Sequence, residues 1–211
     1  MPSDPAATRH ALILASGPFG HAVADRLREA TDLPGVQHVT VQHIDSGTHP
    51  SLWPRADVLV LALSHERPAI AQAADRSAFA WGMPWIEACL EPTDLRVGPV
   101  VVPGRTACYQ CFLNRRRQHQ RTHLAPASGK HPSGFGAHHA GIAAALTRQA
   151  IGEALGAPDP DRLGGTVRRF NLVTGATNRS GVLAVDRCPR CRERATSEHL
   201  WQRLAAWKES M

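Results

Sequence analysis

A chain of 211 residues is long enough for one substantial core and short for two, and 43% hydrophobic residues marks an ordinary globular protein rather than a disordered one. No apolar run approaches the roughly 18 residues of a membrane span, and the N-terminus lacks a basic-then-apolar signal peptide, so the expected location is the cytoplasm, with no membrane partner. The net charge of +6 comes almost wholly from arginine, Lys130 and Lys208 being the only lysines; because the positive residues are scattered apart from Arg115–Arg117, no nucleic-acid partner is expected.

Residues 1–9 read as a flexible tail, and residues 10–211 as a single α/β domain. Ala11–Ala15 is a buried-strand run, followed by the turn Ser16-Gly-Pro-Phe-Gly20 and a helix over His21–Thr31 with apolar Val23, Ala24, Leu27 and Ala30. Strand, glycine turn and helix is the arrangement in which backbone N–H groups meet a phosphate at a helix N-terminus. Gly17 and Gly20 are therefore candidate nucleotide-binding residues. The fingerprint is incomplete, because Ala15 stands where its first glycine belongs and Pro18 removes one N–H donor. A tight turn without a ligand is the competing reading.

Val39–Ile44 is a second strand, and Asp45 stands 25 residues beyond Gly20, where an acid commonly binds a ribose hydroxyl. The alternative for Asp45 is that it opens the turn Asp45-Ser-Gly47. Asp57–Leu63 is nearly all apolar and reads as a strand buried on both faces. A helix from Pro68 to Trp81 and a strand over Trp85–Leu90 follow, with Cys89 as a buried structural thiol. These short βα units predict a mostly parallel, Rossmann-like sheet with helices on both faces.

Arg96–Val102 supplies one or two further short strands and leads into Cys108-Tyr-Gln-Cys111. Tyr109–Gln118 reads as a short helix, and 119–134 as a mobile loop whose His119, His123 and His131 are irregularly spaced and solvated. Phe135–Leu155 is a long alanine-rich helix. His138 and His139 in its first turns point about 100° apart, unlike an i, i+4 chelating pair. Val167–Val173 and Gly181–Asp186 read as an antiparallel hairpin around Thr174–Asn178, delivering Cys188-Pro-Arg-Cys191, and a short helix over Ala195–Trp207 ends the chain.

Two C-x-x-C pairs account for four of the five cysteines. In a reducing compartment such pairs favour metal over disulfide. Cys108, Cys111, Cys188 and Cys191 together complete a tetrahedral structural zinc site. The pairs stand much farther apart than the roughly 15–20 residues of a zinc ribbon, so the ion would tie together distant parts of one domain. A redox pair is the competing idea, but thioredoxin-type pairs act singly.

The glycine turn, Asp57–Leu63, the stretch from Val97 through Pro103-Gly-Arg-Thr-Ala-Cys-Tyr-Gln-Cys111 and the distant Cys188-Pro-Arg-Cys191 together resemble the ThiF-like adenylating fold of ubiquitin-activating and sulfur-carrier-activating enzymes. Within it they look most like the ThiF-like component of the cyclodehydratases that make thiazoles and oxazoles in ribosomal peptide natural products. The resemblance implies a structural zinc and a YcaO-type partner that uses ATP to convert Cys, Ser or Thr of a precursor peptide to azolines. It also implies a role for the chain in presenting the precursor's leader peptide. A homodimer stands as a further option.

The sequence departs from adenylating members of that fold where the chemistry lies. Ser64 stands at or near the position of their magnesium-orienting Asp. Their arginine motif has no clear counterpart in Ser46–Arg55. Without an acid and an arginine, little remains to stabilise charge on a transferring phosphate. No catalytic residue is therefore assigned, and Gly17, Gly20 and Asp45 are read as a vestigial nucleotide site. The family's leader-binding winged-helix module finds no room ahead of the first strand, so leader recognition is expected from a separate protein. An active adenylyltransferase acting on a peptide or sulfur-carrier C-terminus is the alternative, with Glu66, Asp57 or Asp45 supplying the acid. A third reading is a zinc-bearing interaction module.

Overall fold

The computed structural model describes residues 8–119, 134–157 and 165–191. The expected loop at 119–134 falls almost wholly outside these residues, and so do the expected helix at 195–207 and the tail up to residue 7.

Seven strands form one sheet in the order β2-β1-β3-β4-β5-β6-β7. The first four, β1 (His10–Ser16), β2 (His38–His43), β3 (Val58–Leu63) and β4 (Trp85–Leu90), run parallel. The last three, β5 (Asp94–Val101), β6 (Thr166–Asn171) and β7 (Thr177–Gly181), continue the sheet antiparallel. The sheet is thus mixed, its parallel part confined to the N-terminal βα units. The helices are α1 (Gly17–Glu29), α2 (Pro68–Trp81), α3 (Tyr109–His119) and α4 (Ala137–Leu155).

Side-chain alternation along β1 and β3 builds two cores. Ala11, Ile13, Ala15, Val58, Val60 and Ala62 face α1 and α4, whereas Leu12, Leu14, Leu59, Leu61 and Leu63 face the layer that holds α2 and the start of α3. Both faces of these strands are covered, which is why they read as unbroken apolar runs. Cys89 lies in the second core, 1% exposed.

The C-terminal hairpin is present with a shifted boundary: β7 spans Thr177–Gly181, not Gly181–Asp186. Asn171 pulls the turn forward by accepting the Val173 and Thr174 N–H groups on its side-chain oxygen, and Gly175 takes φ +71°. The apolar run that follows is buried only in part, at Val182, with Ala184 and Val185 half-buried and Leu183 exposed. Val182, Ala184 and Val185 leave the sheet to pack on the second core beside the cysteines.

Candidate metal centre and the crevice at the strand ends

The loop after β5 is held by Thr106, whose Oγ1 accepts the Val102 N–H at 2.9 Å. It places Cys108 immediately before α3 and Cys111 in the first turn. On the other side Arg187 adopts φ +52°, turning the chain so that the second pair faces the first. Sulfur–sulfur separations are 3.8 Å for Cys108–Cys111, 3.7 Å for Cys108–Cys188 and 3.6 Å for Cys111–Cys191. A tetrahedral ion with metal–sulfur bonds of about 2.3 Å sets its ligands about 3.8 Å apart. The donor set therefore fits such an ion. All four sulfurs lie within 4.8 Å of one another, and no other group of three or more His, Cys, Asp or Glu side chains converges this way among the described residues.

Backbone amides support the sulfurs: Val185 N–H points at Cys111 Sγ, 3.2 Å away. Burial pushes the Cys108 and Cys111 thiols up to about 11. Burial also raises Cys188, but the Arg190 and Cys191 N–H groups outweigh it and bring this thiol down to about 7.

The second feature lies at the C-terminal ends of β1 and β3. Their crossovers leave in opposite directions, β1 toward β2 and β3 toward β4, which is where open α/β sheets bind ligands. Here the first-turn donors of α1 are already used. Gly17 N–H donates to Asp45 Oδ1 at 2.6 Å, Pro18 has no N–H, and Phe19 and Gly20 N–H point at Ser64 Oγ at 2.9 and 3.4 Å. Asp45 also pairs with His21 at 2.7 Å, and the His21 ring stacks on His43 with centroids 4.1 Å apart. The Gly17 N–H, with help from His21, holds the Asp45 carboxyl below the usual range.

The expected site residues thus divide. The four cysteines meet, and Gly17 and Asp45 meet through a direct hydrogen bond, with Asp45 serving as a cap for α1. Gly20 lies against the backbone of β3, where a Cβ would stand 2.4 Å from the Ala62 carbonyl oxygen. The glycine there serves close helix–strand packing. His138 and His139 lie with ring centroids 4.0 Å apart at the start of α4, away from any chelating set.

Sequence reasoning missed two groups. Arg67 Nη1 donates to Ser16 Oγ at 2.8 Å and to the Ile44 carbonyl at 3.0 Å, bridging the ends of β1 and β2. Arg96, with no exposed side-chain surface, pairs with Glu87 at 2.7 Å, Glu91 at 2.6 Å and Glu66 at 3.2 Å. Arg116 of α3 also pairs with Glu66 and Glu91, and Arg169 of β6 with Glu91. A glutamate and an arginine inside adjacent apolar strand runs were the available signal.

Neither a family model nor a curated protein matches the sequence. Solved structures do share the fold. A heterocyclase in complex with substrate and cofactor is 19% identical with a TM-score of 0.61; the match covers 89% of this chain and 26% of that one. The Escherichia coli microcin synthetase McbBCD complex contains a chain 17% identical with a TM-score of 0.60, covering 89% of this chain and 70% of that one. Escherichia coli MccB is 16% identical with a TM-score of 0.56, covering 92% and 68%. The present chain therefore spans about a quarter of the heterocyclase and about two thirds of the other two. At these identities the shared property is the fold: the chain is similar in architecture to heterocyclase, microcin synthetase and MccB chains.

Proposed function

We propose that the chain is a zinc-stapled, non-adenylating ThiF-like partner of a YcaO-type cyclodehydratase, working in the cytoplasm on a ribosomal precursor peptide whose Cys, Ser or Thr residues become azolines. The observation that carries this reading is the state of the α1 N-terminus. Its first-turn donors are taken by Asp45 and Ser64 of the same chain, so a nucleotide phosphate would have to displace a carboxylate and a hydroxyl to reach them. The likeness to a heterocyclase with bound substrate and to a microcin synthetase complex supports the reaction class. Cys108, Cys111, Cys188 and Cys191 hold the zinc. A closed four-thiolate shell leaves no open coordination position, so the ion's contribution is to folding.

The alternative, an active adenylyltransferase, needs a free acid beside the phosphates. Asp57 stands at the start of β3, at the opposite end of the sheet, and accepts the His10 N–H at 2.7 Å. Glu66 is tied to Arg96 and Arg116, and Asp45 to Gly17. The test mixes purified chain, YcaO protein, precursor and ATP, and follows loss of one water per ring by mass spectrometry. The chain should raise azoline formation and by itself exchange no labelled pyrophosphate into ATP. Unchanged ring formation on adding the chain would reject the partner role, and precursor-dependent exchange would revive the alternative.

A further inference from the structure

Asp75 lies on α2, which contributes no cysteine, yet its buried carboxylate reaches both cysteine segments. Its side chain is 4% exposed, and Oδ2 accepts from Arg190 Nη1 at 2.5 Å. Arg190 is one of the two residues between Cys188 and Cys191, and its Nη2 also donates to the Asp75 backbone carbonyl at 3.3 Å. The guanidinium carbon sits 5.0 Å from the centroid of the Phe79 ring, one helical turn further along α2. On the other side the backbone N–H of Tyr109, the residue after Cys108, lies close enough to favour the ionised form of the same carboxylate. Trp85 Nε1, from β4, donates to Oδ1 at 3.3 Å and fixes the carboxylate's orientation.

We propose that Asp75 and Arg190 form a clamp that positions the second cysteine pair against the first before the metal arrives, and so governs how tightly and how long zinc is held. The physical need is the separation along the chain, 80 residues from Cys108 to Cys188. If the second pair were loose, an incoming ion would have to close that loop itself. A carboxylate seated in the core, bonded to Arg190 of the second segment and lying beside Tyr109 of the first, meets that cost during folding. Partners that orient metal ligands in this way typically change affinity by roughly 10–100-fold. The clamp rests on the reading of the four cysteines as a zinc site and is independent of the cyclodehydratase partnership.

The test uses the full chain loaded with zinc, with Arg190→Ala, Arg190→Lys and Asp75→Asn compared with wild type. Arg190 is 27% exposed in its side chain, so its substitution leaves the core intact if Asp75→Asn fails to fold. Zinc affinity is measured by competition with a chromophoric chelator, the release rate by transfer to the same chelator, and the ligand set by the thiolate-to-metal absorption of the cobalt-substituted protein. Arg190→Ala should bind zinc roughly 10-fold or more weakly and release it faster, with an unchanged four-thiolate cobalt spectrum. Arg190→Lys should recover part of the loss. Ser64→Ala, which removes a hydroxyl bonded to α1 and to neither cysteine segment, serves as the control and should leave affinity and release unaltered. The clamp is overturned if Arg190→Ala holds zinc as wild type does, or if the control loses zinc equally. A wild-type chain that takes up no zinc removes the metal reading and the clamp with it.

Discussion

The Ser64 hydroxyl oxygen stands 2.9 Å from the Phe19 amide nitrogen and accepts its hydrogen. A residue at the end of β3 thereby caps a helix that begins at the end of β1. The contact is close on the carbon side as well: a Cβ added to Gly17 would lie 2.7 Å from the Ser64 Cβ. In dinucleotide-binding sheets of the doubly wound type a phosphate satisfies such donors. Here a side chain of the same chain does so, which makes Ser64 a helix cap in all but sequence position.

Removing that cap should cost about 1 kcal/mol, the usual effect of replacing a capping Ser by Ala. Urea unfolding of Ser64→Ala is expected to show a lower midpoint with an unchanged slope. Calorimetric titration with ATP should give no heat of binding for wild type.

Gly20→Ala should destabilise by roughly 1–3 kcal/mol. The obstacle is the Ala62 carbonyl, which belongs to a central strand and has no room to retreat. Thermal unfolding without any nucleotide checks this. An effect that appears only in the presence of ATP would point to a phosphate role for Gly20.

Asp45 makes stability depend on acid. Its carboxyl is held below the ordinary value of about 3.9. The folded state therefore gains from the ionised form at pH above that value and loses this gain as pH falls through the lowered one. Asp45→Asn should be less stable than wild type at neutral pH, and the gap should narrow below about pH 4. Unfolding midpoints measured across the acid range test the sign.

Arg96→Met should be severe, about 3–5 kcal/mol, because it strands Glu87 and Glu91 in the second core with a guanidinium missing. The Glu87 carboxyl, raised by burial despite Arg96, would then be protonated in the folded state. A double variant Arg96→Met with Glu87→Leu should recover part of the loss, since it removes the orphaned buried carboxyl. Equal instability of the single and double variants would show that packing rather than charge is at stake.

Cys188→Ser should lose the metal and most of the soluble yield. Structural zinc supplies roughly 10 kcal/mol or more of apparent folding free energy in small peptides. Metal analysis and solubility of the expressed variant check this, and a soluble, stable, metal-free variant would show the staple to be dispensable.

Features with a local signature were readable in advance. The apolar runs of β1, β3 and β4 mark strands because both of their faces are covered. The two C-x-x-C pairs imply one site because each supplies half a tetrahedron. The second hairpin strand starts earlier than the apolar run suggests, because Val182, Ala184 and Val185 pack beside the cysteines rather than pairing in the sheet, a contact that periodicity does not encode.

The sequence by itself determined the βα pattern, the two-sided sheet and the two C-x-x-C pairs that make up the candidate metal site, each carried by residues close together in the chain. Only the tertiary structure decided what occupies the α1 N-terminus, because its acceptors come from 28 and 45 residues away. The same holds for Arg96, whose three glutamates lie on β4, just past it and in the loop after β3, and for Asp75, which reaches the second cysteine segment through Arg190 from a helix that carries no cysteine. Hydrogen bonds and ion pairs between distant segments leave no periodic trace in the chain. Their partners are chosen by the packing of the sheet that brings them within about 3 Å.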